Sequence, residues 1–111
     1  MPKKRMYVCS LEAAMDVIGG KWKPHILWKI QDAPLRFMAI QEKLPAISQK
    51  MLTRQLRALE ADRLVSRTEY PGMPPRVEYA LTERGRTVIP ILSSLKDWAD
   101  EELADQISES H

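Results

Sequence analysis

Apolar positions along the chain recur first at helical spacing, then in strict alternation, then at helical spacing again. Residues 11–18, LEAAMDVI, predict a short amphipathic helix with Ser10 as its N-cap and Gly19-Gly20 as its stop. A second helix is predicted over 23–31, KPHILWKIQ, with Pro24 in its first turn and Ile26, Leu27 and Ile30 apolar. Asp32-Ala33-Pro34 reads as a turn, and 36–43, RFMAIQEK, as a third helix ended by Leu44-Pro45. Ala46-Ile47 then forms a tight connection, and Ser48 caps a fourth helix that runs to about Ala61. Wound at about 100° per residue, that helix stacks Leu52, Leu56 and Leu59 on one side and sets Lys50, Arg54 and Arg57 almost opposite.

The period changes at 64–70, LVSRTEY, and 76–81, RVEYAL, where apolar and polar residues alternate around PGMPP. This predicts a two-stranded hairpin with a proline-stiffened tip. Thr82 is expected to cap a last helix from Glu83 to about Ala104, kinked at Pro90, with Val88, Leu92, Leu95, Ala99 and Leu103 apolar. Two short helices joined by a tight turn, the second basic on its outer face and followed by a hairpin, predict a winged helix-turn-helix. The fold class is therefore α+β, mainly α, with a two-stranded wing and flanking N- and C-terminal helices suited to dimerisation. One domain is expected over 1–111, divided into an arm at 1–10, the helices and wing at 11–81, the last helix at 82–104 and a disordered tail at 105–111.

Composition adds a charge asymmetry. All 17 Lys and Arg lie within residues 1–96 together with 9 of the 15 acids, a local balance of +8, whereas 97–111 carries the other 6 acids and no Lys or Arg. A basic body on an acidic tail suggests a polyanionic partner, against the plainer reading of a solvated mixed-charge surface. No apolar run approaches the roughly 20 residues that cross a bilayer. The start, MPKKRMYVCS, has no apolar stretch behind its basic tip, so no secretory signal and no membrane partner are expected. The single cysteine excludes an internal disulfide and fits a reducing, cytoplasmic setting.

GGKWKPHIL, RFMAIQEKLPAISQKMLTRQLRALEADRLVSR, YPGMPPRVEYALTERG and PILSSLKDW, in this order and spacing, resemble the HxlR family of MarR-like transcriptional regulators. The likeness runs from Cys9 to Trp98. It implies a dimeric winged-helix protein that binds operator DNA, and it implies that a cysteine placed like Cys9 can respond to oxidants or electrophiles. The chain departs from the family pattern at Ala33, Ala46 and Arg63, where glycine is common, and at Ala39, where an acid is frequent. Arg63 matters most, because a positive φ is often required just past a helix end.

Set in that motif order, Lys50, Arg54 and Arg57 are expected to meet phosphates or guanine edges in a major groove. Ser48, Gln49 and Thr53, near the helix N-terminus, suit neutral hydrogen bonds to bases or phosphates. The wing offers Arg67 and, beside its tip, Arg76, whose alternative role is to pair with Glu69 or Glu78; Arg36 is a further phosphate candidate. Tyr7, Leu11, Val88, Leu92, Leu95 and Trp98 are the expected dimer interface, since one winged helix addresses only a half-site. Cys9 precedes a helix N-terminus and follows Lys3, Lys4 and Arg5, two features that favour its thiolate and hence reaction with thiol-reactive small molecules. The other reading of Cys9 is a buried, inert thiol.

No enzyme, cofactor or metal site is expected. His25 is read as enclosed by apolar residues, without partners at ligand or triad spacing, and His111 is terminal. The competing function is a winged-helix adaptor that binds protein rather than DNA.

Overall fold

A computed structural model describes residues 6–108. Its order is α1 (Ser10–Ile18), α2 (Lys23–Lys29), α3 (Phe37–Lys43), α4 (Gln49–Ala61), β1 (Val65–Tyr70), β2 (Arg76–Leu81), α5 (Glu83–Arg86) and α6 (Ile89–Glu102), followed by a 3-10 turn over Ala104–Gln106. The architecture is that of a winged helix-turn-helix, mainly helical with a single two-stranded antiparallel sheet.

The leucine side of α4 organises the core. Leu52, Leu56 and Leu59 are buried against Ile26 and Leu27 of α2, Ile30 at its C-terminal cap and Ile40 of α3. Burying each of these side chains contributes about 1.5–3 kcal/mol. Leu44 and Ile47 bury the two ends of the turn between α3 and α4. The turn is closed by the Ile47 amide donating to the Leu44 carbonyl at 3.1 Å and by Gln41 Nε2 donating to the Ile47 carbonyl at 3.1 Å. Ser48 does cap α4, its Oγ accepting from the Met51 amide at 3.0 Å.

Past the end of α4, the Leu64 amide donates to the Leu59 carbonyl and the Arg63 amide to the Glu60 carbonyl, both at 2.9 Å. This paired pattern is a Schellman ending, and it places Arg63 at φ 61°. The expectation of a positive φ at Arg63 therefore holds. An L-residue is strained in this region, so Arg63→Gly is expected to raise stability by about 0.5–1 kcal/mol, after the greater chain entropy of unfolded glycine is offset. The check is a higher urea midpoint at unchanged slope.

The hairpin pairs Val65 with Leu81 through to Tyr70 with Arg76, which leaves 71–75 as the loop. One contact was not foreseen: Leu35 and Tyr79 exchange backbone hydrogen bonds at 2.9 and 2.8 Å, tying the α2–α3 connection to the wing. Thr82 then fastens the far side. Its Oγ1 donates to the Arg63 carbonyl at 2.7 Å and accepts from the Gly85 amide at 2.9 Å, joining the end of α4 to the start of α5.

Several boundaries differ from expectation. The expected kinked helix is two helices, with Thr87-Val88 between them and Pro90 in the first turn of α6. A proline ring clashes with the carbonyl four residues earlier, here Arg86, so the helix stops and restarts instead of bending. The N-cap of α1 is Cys9 and Ser10 lies inside the helix. Helix α2 stops at Lys29, and Arg36 is the N-cap of α3. Ala104–Gln106 form a 3-10 turn, so residues 105 and 106, expected in the disordered tail, are helical. His25 is exposed rather than enclosed, its ring 6.4 Å from that of Trp22.

Candidate nucleic-acid interface

With its leucines committed to the core, α4 turns Gln49, Lys50, Arg54 and Arg57 to solvent. Among the described residues no carboxylate forms an ion pair with these three cations. Ser48 and Thr53 are partly engaged already: the Ser48 oxygen caps the helix, and Thr53 Oγ1 donates to the Gln49 carbonyl at 2.9 Å. What remains on Ser48 is its hydroxyl proton, and what remains on Thr53 is its acceptor capacity.

Strand alternation sends the two wing arginines to opposite faces. Arg67 lies directly across the ladder from Tyr79, on the face that looks toward α4. The neighbouring Tyr79 side chain is the largest influence favouring its charged form, and its guanidinium reaches Glu69 Oε1 at 3.5 Å. Arg76 stands beside the loop on the other face, 4.5 Å from the centroid of the Tyr70 ring and 3.5 Å from Glu78. Glu78 is two residues along the same strand, so this pair is not cross-strand. Both ion pairs are exposed and long, a class that contributes little net energy. Arg36 is exposed at the start of α3 and is carried toward the wing by the bridge at Leu35.

Between α4 and the hairpin lies a cleft of about 320 Å³, lined by Thr53, Leu56, Arg57, Glu60, Arg67 and Tyr79. Tyr79 and Glu60 were not singled out from the sequence. The loop over 71–75 pairs Tyr70 with Arg76, and counting outward from it would have placed Arg67 opposite Tyr79.

The expected interface residues separate into two groups. Val88 and Leu92 are buried in the core of the single chain. Leu95 and Trp98 are 58% and 56% exposed, aligned with exposed Ile91 on one side of α6, and Leu11 with Met15 forms a second exposed apolar pair on α1. Tyr7 is half-buried and its hydroxyl donates to Asp16 Oδ2 at 2.5 Å. Cys9 is exposed at the N-cap of α1, not buried. The amides of Glu12 and, more weakly, Leu11 favour its thiolate and hold its pKa below the ordinary thiol value. Lys3, Lys4 and Arg5, the other expected source of that effect, lie outside the described residues.

A helix-turn-helix whose second helix presents a cationic face, followed by a hairpin wing, defines the class of winged helix-turn-helix transcriptional regulators. Residues 17–107 match the model of the HxlR-like helix-turn-helix family, and the chain belongs to that family. It is 53% identical over 92 residues to an uncharacterised HTH-type transcriptional regulator of Methanothermobacter thermautotrophicus, covering 83% of this chain and 70% of that one. Among solved structures it resembles the redox regulator HypR in its oxidised form, with TM-score 0.81 and 47% identity over 85% of this chain and 97% of that one. It also resembles quinone-bound YodB from Bacillus subtilis, with TM-score 0.72 and 35% identity over 83% and 97% of the two chains. The protein is thus a transcriptional regulator and not an enzyme. Among the described residues no helix is long and apolar enough to cross a membrane.

Proposed function

We propose that the protein is a cytoplasmic homodimer that binds double-stranded operator DNA sequence-specifically and responds to thiol-reactive molecules through Cys9. The observation that carries the DNA reading is the unpaired cationic row of Lys50, Arg54 and Arg57 on the exposed side of α4. A major groove admits one such helix. Gln49, Ser48, Thr53 and the N-terminus of α4 supply neutral donors and acceptors beside the row, while Arg67, Arg76 and Arg36 extend it toward the wing. Exposed apolar side chains on α1 and α6 supply the dimer face, backed from within by Val88 and Leu92. Tyr7 lies close to that face, anchored on Asp16.

The decisive experiment is a footprint on the DNA flanking the protein's own gene, together with a salt titration of that duplex. A dimer engaging several phosphates loses affinity by orders of magnitude between about 50 and 200 mM salt. A protein–protein adaptor would show weak duplex binding at both concentrations.

At Cys9 the chemistry follows from the exposed thiolate. Attack on an electrophile such as a quinone forms a carbon–sulfur bond, and the adduct takes up a proton from water. Oxidation instead joins Cys9 to a small thiol, or to Cys9 of the second subunit, with two electrons and two protons passing to the oxidant. The likeness to a redox regulator and to a quinone-bound regulator supports this reading. Because the folded pKa is lowered, the thiolate fraction rises at lower pH than in a free cysteine. The rate of iodoacetamide alkylation is therefore expected to reach half its plateau below the ordinary midpoint of about 8.5. Cys9→Ser should bind DNA normally yet fail to release it on treatment with diamide or a quinone; normal release would remove the sensor.

A further inference from the structure

We propose that the cleft between α4 and the hairpin seats one backbone phosphate of duplex DNA, gripped by Arg57 and Arg67, and that Tyr79 is the positioning residue for Arg67. The inference rests on the duplex-binding reading and adds the wing's Arg67 and Tyr79 to a contact that the outer row of α4 reaches only through Arg57.

The two arginines come from different elements, one on the helix and one on the wing, and both line the same 320 Å³ space. Arginine forks match phosphate oxygens two at a time, provided the fork is oriented. Glu69 orients Arg67 poorly, since its contact is 3.5 Å long and exposed. Tyr79 lies directly across the ladder from Arg67, is half-buried against the core, and lines the same cleft. The hydroxyl proton of Thr53 is already donated to the Gln49 carbonyl, and Leu56 offers no polar group. The arginines are therefore the donors toward an anion in this space. Glu60 weakens the seat without closing it.

The test uses the intact protein, a fluorescent mixed-sequence duplex and anisotropy titrations at several KCl concentrations, with a melting curve for each variant. Arg67→Ala should weaken binding and lower the salt slope by about 1.8 per dimer, one phosphate per protomer. Tyr79→Phe keeps the ring and the Arg67 charge, so affinity should fall about threefold to tenfold with the slope nearly unchanged. In the Arg67→Ala background, Tyr79→Phe should have no further effect. Glu60→Gln should tighten binding. The proposal is overturned if Tyr79→Phe weakens binding equally in both backgrounds, or if Arg67→Ala leaves the slope unchanged. It is also overturned if Glu60→Gln alters the binding of inorganic phosphate without DNA but not that of the duplex, which would mark a free-anion site. Lys50→Ala separates this failure from the broader one. If Lys50→Ala weakens binding while the cleft variants do not, only the cleft is refuted; if the wild type shows no salt-sensitive duplex binding, both readings fall.

Discussion

Arg54→Ala combined with Arg57→Ala is expected to lower operator affinity about a thousandfold in the proposed dimer. Four cationic contacts are lost per dimer, and at about 1 kcal/mol each they amount to about 4 kcal/mol. The salt slope should fall by about three to four units, because four phosphates would no longer release counterions. The fold should survive, since both side chains are exposed on the side of α4 opposite Leu52, Leu56 and Leu59. Substitutions at such surface positions change stability by less than about 0.5 kcal/mol. Anisotropy titration at several salt concentrations, alongside thermal melting, measures both quantities. Wild-type affinity in a well-folded double variant would remove α4 as the recognition helix.

Leu95→Glu should produce the other large effect, by separating the subunits. Leu95 shares one side of α6 with Ile91 and Trp98, and all three are more than half exposed in the single chain. An isolated protomer tolerates a carboxylate there. A dimer face does not, because the charge would be desolvated among apolar groups without a partner. Sedimentation should show a dimer for the wild type, as proposed, and a monomer for the variant. Operator affinity should then fall by about 10²–10⁴, as a bivalent complex reverts to one half-site per molecule. Retention of the dimer would place the interface elsewhere on the chain.

How far the sequence carried depends on which force fixed each element. Helix α4 was legible because its apolar period, its Ser48 cap and its cationic row agree, and the structure has the helix, the cap hydrogen bond and the exposed row. Arg63 was legible because a helix ending of this kind constrains φ whatever residue occupies it. The last helix was misread because apolar spacing alone is blind to the clash that Pro90 sets up with the carbonyl of Arg86. Apolar spacing also merged Val88 and Leu92 with Leu95 and Trp98 into one stripe. On α6 Leu92 lies about 60° from Leu95 and about 120° from Trp98, so it faces the core while they face solvent. Leu35 was missed because a single bridged residue carries no periodic signal at all. His25 was misjudged because apolar neighbours in sequence are not neighbours around a helix.

The placement of Cys9 has a chemical consequence of its own. Its sulfur starts the same helix that carries Leu11, only about 3 Å further along the axis. An adduct there would intrude on the proposed subunit contact by bulk alone, with no relay through the body of the protein. Since the sequence holds one cysteine, no resolving thiol within the chain can undo a mixed disulfide. Recovery would be set by the surrounding pool of small thiols, so the duration of the response would report how reducing the compartment is, while its onset would report the insult.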